Sequence, residues 1–85
     1  MPAILAMALR QILAENLRRA RLVAGLSQEE LAHVAGIDRT YVSALERSRF
    51  AASVDLIERL ATALKVPPAS LLQDVEDMPA RGDRT

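Results

Sequence analysis

The stretch Gln28-Glu-Glu-Leu-Ala-His-Val-Ala-Gly-Ile-Asp-Arg-Thr-Tyr-Val-Ser-Ala-Leu-Glu-Arg47 decides how this chain folds. It divides into two short helical segments on either side of Gly36-Ile37. Ser27-Gln-Glu-Glu30 has the capping-box pattern, in which Ser27 accepts from the backbone three residues on and Glu30 reaches back. A helix over Gln28 to Ala35 is therefore predicted. Gly36 gives a tight turn positive φ at low steric cost, and Asp38 can cap a further helix from Arg39 to about Arg47. Helices that cross this closely need a small residue at the crossing and an apolar residue tucked under the turn. The second helix also needs apolar anchors three apart, which leave its other face free for a groove. Leu31 and Ala32 fill the crossing, Ile37 the turn, and Val42 with Leu45 the anchor. Every position of a helix-turn-helix pair holds a suitable residue.

Upstream, Leu9, Ile12, Leu13, Leu17, Ala20 and Ala24 recur at helical spacing and predict one long first helix, which Gly25 stops. Downstream, Ser53 caps a helix with the apolar stripe Leu56, Ile57, Leu60, Ala61 and Leu64. Pro67-Pro68 ends that segment, and Pro68 to Leu72 is expected to form a short fifth helix starting on proline. The chain contains no strand-like alternation and no internal repeat. The expected architecture is all-α: a compact five-helix domain with an extended first helix. Residues 1–11 form an apolar extension of that helix, 12–73 the helix-turn-helix domain, and 74–85 a polar tail expected to be disordered.

Composition narrows the chemistry. Eighty-five residues make one domain, and 51% are apolar, yet only Tyr41 and Phe50 are aromatic. So small an aliphatic core favours oligomerisation. There is no cysteine and His33 is the only histidine, which argues against disulfides, a zinc site or a histidine-dependent triad. No metal, cofactor or small-molecule ligand is expected. Ser43 has no base beside it to make it a nucleophile, and His33 is expected to be an exposed bystander. Arg10 interrupts the apolar run from Ala3 to Leu9 far short of a membrane span. That run has no basic leader or small-residue cleavage site, so a cytoplasmic protein is expected. Eleven bases balance eleven acids, which at first sight disfavours nucleic acid as a partner. The tail from Asp74 holds four of those acids and two of the bases, so nine bases and seven acids, a net +2, remain in residues 1–73. Binding to a polyanion must then rest on a local basic face.

The segment from about Ile12 to Leu72 resembles the DNA-binding domain of the Xre and Cro/phage-repressor family. The resemblance rests on Leu26-Ser-Gln-Glu-Glu-Leu-Ala32, Gly36-Ile-Asp-Arg-Thr-Tyr-Val-Ser43, Leu45-Glu-Arg47 and Ser53-Val-Asp55. Within that family, Asp38 to Ser43 followed by Glu46-Arg47 is most similar to the controller proteins of restriction–modification systems. The resemblance implies a lambda-repressor-like fold and a regulator of transcription with double-stranded DNA as its partner; an enzyme is not expected, because the sequence holds no acid/base, metal or phosphate-loop constellation. It also implies a phosphate contact at Gln28 and a structural ion pair between Arg21 and Glu46. Two departures stand out. Ser48 follows the third helix where glycine is usual, so its end is expected to be less sharp or mildly strained. Phe50 and Ala52 replace more typical polar and proline residues in the next loop.

Helical spacing assigns roles on the third helix. Arg39, Ser43 and Arg47 are four apart, with Thr40 three before Ser43, on a face opposite Val42 and Leu45. Arg39 is the candidate for bidentate contact with guanine O6 and N7. Thr40 offers a hydroxyl to a base edge or a methyl to thymine, and Ser43 is a secondary base contact. Arg47 and Arg49 are assigned to the DNA backbone. Tyr41 has two possible uses, a phosphate or base-step contact or packing at the domain edge.

One reading helix spans too few base pairs for useful specificity, so a homodimer on a roughly palindromic operator is expected. In the family the C-terminal helices supply the dimer contact, here around Val66, Leu71 and Leu72. Because Leu71 and Leu72 are adjacent, one of them must face away from the core. Phe50 is either a core plug or a subunit contact. Ile4 and Leu5 in the extension are assigned to the same inter-subunit surface, against the alternative of a frayed tail. RNA polymerase is a further candidate partner. Two other functions compete: an antitoxin that also binds a toxin, and a protein-interaction module that keeps the fold without reading DNA.

Overall fold

The computed structural model describes residues 3–73, with side chains from Ala8 onward. The side chains of Ile4 and Leu5, and the tail from residue 74, lie outside what it describes. Four α-helices follow one another: α1 (Ala3–Val23), α2 (Gln28–Ala35), α3 (Arg39–Glu46) and α4 (Val54–Leu64). A 3₁₀ helix, Pro68–Leu72, follows them. Among the described residues there is no strand and no helix long and apolar enough to cross a membrane.

The helix starts follow local chemistry. Ser27 Oγ accepts from the Glu30 N–H at 3.0 Å while Glu30 Oε1 accepts from the Ser27 N–H at 2.8 Å, which is a complete capping box. Asp38 caps α3 and Ser53 caps α4 by the same kind of bond. All four helices also end alike. An N–H two or three residues past the end reaches back to the carbonyl five residues earlier: Leu26 to Arg21, Ile37 to Ala32, Arg49 to Ala44, and Val66 to Ala61. This closure requires a left-handed residue in between. Gly25 and Gly36 supply it at φ +75° and +73°, whereas Ser48 and Lys65 hold φ +60° with a full side chain. The end of α3 is therefore as sharp as the others, and the missing glycine appears as backbone strain.

Leu13 and Leu17 of α1, Leu31 and Ala32 of α2, Val42 and Leu45 of α3, and Leu60, Ala61 and Leu64 of α4 meet in one core. A leucine buried this completely contributes about 2–3 kcal/mol. The expected fifth helix is a single 3₁₀ segment. Pro67-Pro68 denies it the preceding turn, and the Ser70 N–H bonds to Pro67 O at 2.9 Å, three residues back. Its Leu71 completes the core.

Asn16 holds that segment in place. It lies on the buried face of α1, and its Nδ2 donates to Leu71 O at 3.0 Å and Gln73 O at 2.8 Å. Its Oδ1 accepts from Arg19 Nη1 at 3.0 Å. A buried amide so fully partnered fixes where the last segment docks.

Candidate nucleic-acid interface

The interface is built on α3. Val42 and Leu45 are buried against the core, which turns Arg39, Thr40 and Arg47 into solvent, with Ser43 half-buried between them. Residues four apart on a helix lie about 6 Å from one another, so Arg39, Ser43 and Arg47 form a continuous polar strip. Arg49 is exposed just beyond it. Among the described residues, Arg39, Arg47 and Arg49 have no carboxylate partner, and their charge is available to an external anion.

The first turn of α3 is capped by Asp38. Asp38 Oδ1 accepts from the Thr40 N–H at 2.9 Å and from the Thr40 hydroxyl at 2.8 Å. Those two bonds, with help from the Arg39 charge, hold the Asp38 carboxyl below its ordinary pKa. The Thr40 hydroxyl proton is thereby engaged locally. Its methyl and its oxygen lone pairs are what it can present to a base.

Behind this face, Glu46 joins three helices. Arg21 of α1 donates Nε to Glu46 Oε2 at 2.6 Å and Nη2 to Oε1 at 3.0 Å. Arg21 Nη1 also donates to Leu26 O at 2.9 Å. Gln28 of α2 donates Nε2 to Glu46 Oε1 at 3.0 Å. Burial pushes the Glu46 carboxyl up, but the hydrogen bonds from Arg21 and Gln28, with the charges of Arg21 and Arg18, outweigh it. The net displacement is downward. The same bond to Glu46 raises the Arg21 pKa.

The geometry changes the sequence reading at several positions. Gln28, assigned to a phosphate, directs its amide to Glu46 and keeps only one amide hydrogen for any external acceptor. This link was invisible in the sequence, because nothing local relates residues eighteen apart. Asn16 was missed too, although a polar residue inside the apolar stripe of α1 was the available signal. Tyr41 and Phe50 stack on each other at the surface, with ring centroids 5.3 Å apart, so Phe50 is not a core plug. Leu71 is 1% exposed and belongs to the chain's own core, which removes it from any dimer contact, whereas Leu72 is 41% exposed. Val66 is half-buried against the core. His33 is exposed.

Residues 17–71 match the helix-turn-helix family HTH_3. The chain is 52% identical over 64 residues to a hypothetical transcription factor of Neisseria meningitidis serogroup B, a match spanning 75% of this chain and 60% of that protein. It is 39% identical over 66 residues to the control protein C.SmaI of Serratia marcescens, spanning 78% of this chain and 79% of that one. The crystal structure of the restriction-modification controller protein C.AhdI from Aeromonas hydrophila superposes with a TM-score of 0.74 at 42% identity. That superposition covers 76% of this chain and 94% of the controller. The crossing of α2 and α3, the exposed polar face of α3 and these likenesses agree: the chain belongs to the Xre/Cro-like HTH_3 family of helix-turn-helix transcriptional regulators.

Proposed function

We propose that this chain is a cytoplasmic, homodimeric regulator that binds a roughly palindromic operator and controls transcription, most specifically as a restriction–modification controller. The observation that carries this reading is the strip of Arg39, Thr40, Ser43 and Arg47, exposed on a helix whose opposite side is locked into the core. Arg39 reads guanine with both guanidinium arms, and Thr40 and Ser43 make secondary base contacts. Arg47, Arg49, Tyr41 and the remaining Gln28 N–H hold phosphates and fix register.

Two copies place their α3 helices in successive major grooves about 34 Å apart. The surface proposed for pairing is an apolar groove of about 280 Å³ between α4 and the 3₁₀ segment, lined by Val54, Ile57, Glu58, Pro68, Ala69 and Leu72. Val54 is 80% exposed there, a poor arrangement for a monomer in water. The apolar start of α1, including Ile4 and Leu5, extends the inter-subunit surface in this proposal. RNA polymerase is the partner through which such a regulator would activate.

The test is a salt-dependent titration of wild type and Arg39→Ala against duplexes selected from random sequence, with scrambled controls. One preferred palindrome, a loss of about 1–3 kcal/mol on Arg39→Ala and relaxed specificity at one position support the reading. No preferred sequence, or an unchanged Arg39→Ala, leaves the chain as a protein-interaction module.

A further inference from the structure

Tyr41 and Phe50 form a pair that neither the core nor the polar strip of α3 explains. Their ring centroids are 5.3 Å apart with planes inclined at 34°, within the range of favourable aromatic contacts. Both rings stay substantially in water, at 46% and 38% exposure. Tyr41 directly follows Thr40 on α3, at the edge of the reading face. Phe50 lies on the connection to α4, two residues past Ser48, whose left-handed backbone turns the chain back. The closing bond from the Arg49 N–H to Ala44 O, at 2.9 Å, fixes the residue before Phe50 against α3. The loop is thus tied to the helix by its backbone, and the Phe50 ring is delivered onto Tyr41.

An exposed tyrosine at a helix edge otherwise samples several rotamers, and binding must freeze one of them. A neighbouring ring that already restricts it removes part of that cost without touching the ligand. We propose that Phe50 is a positioning residue for DNA binding. It holds the Tyr41 ring beside the reading face, so that the phenol hydroxyl meets a backbone phosphate already oriented. This rests on the DNA-reading role proposed for α3, and it gives Phe50 a function distinct from subunit contact.

Tyr41 is the only tyrosine and there is no tryptophan, so the near-ultraviolet circular dichroism of the free protein above the phenylalanine bands reports this one ring. The experiment combines that spectrum with operator affinity and with the monomer–dimer constant measured without DNA. Phe50→Ala is expected to flatten the tyrosine band and weaken operator binding by about 3–10-fold. Tyr41→Phe, which keeps the ring and loses the hydroxyl, should weaken binding comparably. The double variant should be no worse than the weaker single one, since Phe50 acts only through the Tyr41 hydroxyl contact that Tyr41→Phe already removes. Phe50→Leu, the fold control, should melt near wild type while showing the same spectral and binding losses in reduced measure. The dimer constant should not move.

Additive losses, or a Phe50→Ala protein with unchanged spectrum and affinity, overturn the proposal. A Phe50→Ala loss that appears wholly in the dimer constant also overturns it and makes Phe50 a subunit contact. Failure of the underlying reading looks different. There Arg39→Ala is silent on every duplex, and the positioning role falls with it; here Arg39→Ala weakens binding and Phe50→Ala does not.

Discussion

Glu46 shows how one carboxylate can be afforded inside a small helical protein. Its side chain is 5% exposed and that of Arg21 is 11% exposed, so each would carry a heavy desolvation cost alone. Three hydrogen bonds meet it, two from Arg21 and one from Gln28. Arg21→Met strands the carboxylate and is expected to cost about 3 kcal/mol in urea unfolding. The pH dependence has a definite sign. Because the folded state depresses the Glu46 pKa, its stabilisation is complete above the ordinary value of 4.5 and is lost as pH falls through the folded value. The wild type should therefore lose stability below pH 4.5 more steeply than Glu46→Gln does. Parallel acid-melting curves would mean that Glu46 titrates alike in the folded and unfolded chain.

Each of the four α-helices among the described residues ends on a left-handed residue, and only two of those four residues are glycine. The left-handed region costs a side-chain-bearing residue about 1–2 kcal/mol, part of which glycine returns as extra freedom in the unfolded chain. Ser48→Gly and Lys65→Gly are each expected to stabilise the fold by about 0.5–1 kcal/mol, raising the melting temperature by a few degrees. Ser48→Ala should give no such gain. The Ser48 comparison separates backbone strain from any contact made by the hydroxyl, since both substitutions remove it. At α3 the strain also has a location of interest, because Ser48 sets the path of the loop that carries Phe50.

At the scale of the molecule, the C-terminal 3₁₀ segment turns one face inward and one outward. Leu71 closes the core and Leu72 lines the apolar groove with Val54 and Ile57. Asn16 pins the segment from α1 through two carbonyls, so the shape of the proposed dimer surface depends on the first helix as well as the last. Val54 is the first residue of α4, a position where an acidic side chain suits the helix dipole. Val54→Asp should therefore fold normally while weakening self-association at least tenfold in sedimentation equilibrium. A variant that dimerises like wild type would remove this groove as the interface.

Helix boundaries, caps and the division of α3 into an exposed polar face and a buried anchor were legible in the sequence. They depend on hydrogen bonds and side-chain spacing within a few residues: the capping box at Ser27, Asp38 before α3, and Val42 with Leu45 opposite Arg39. The approximate core was legible for the same reason, since a buried stripe repeats with the helical period. What the tertiary structure alone decided are the contacts that depend on how helices cross. These include Gln28 reaching Glu46, Asn16 gripping a carbonyl fifty-five residues away, and Leu71 rather than Leu72 entering the core. The pairing of Phe50 with Tyr41 is of the same kind. A two-residue shift in docking would leave the sequence pattern intact and undo every one of them.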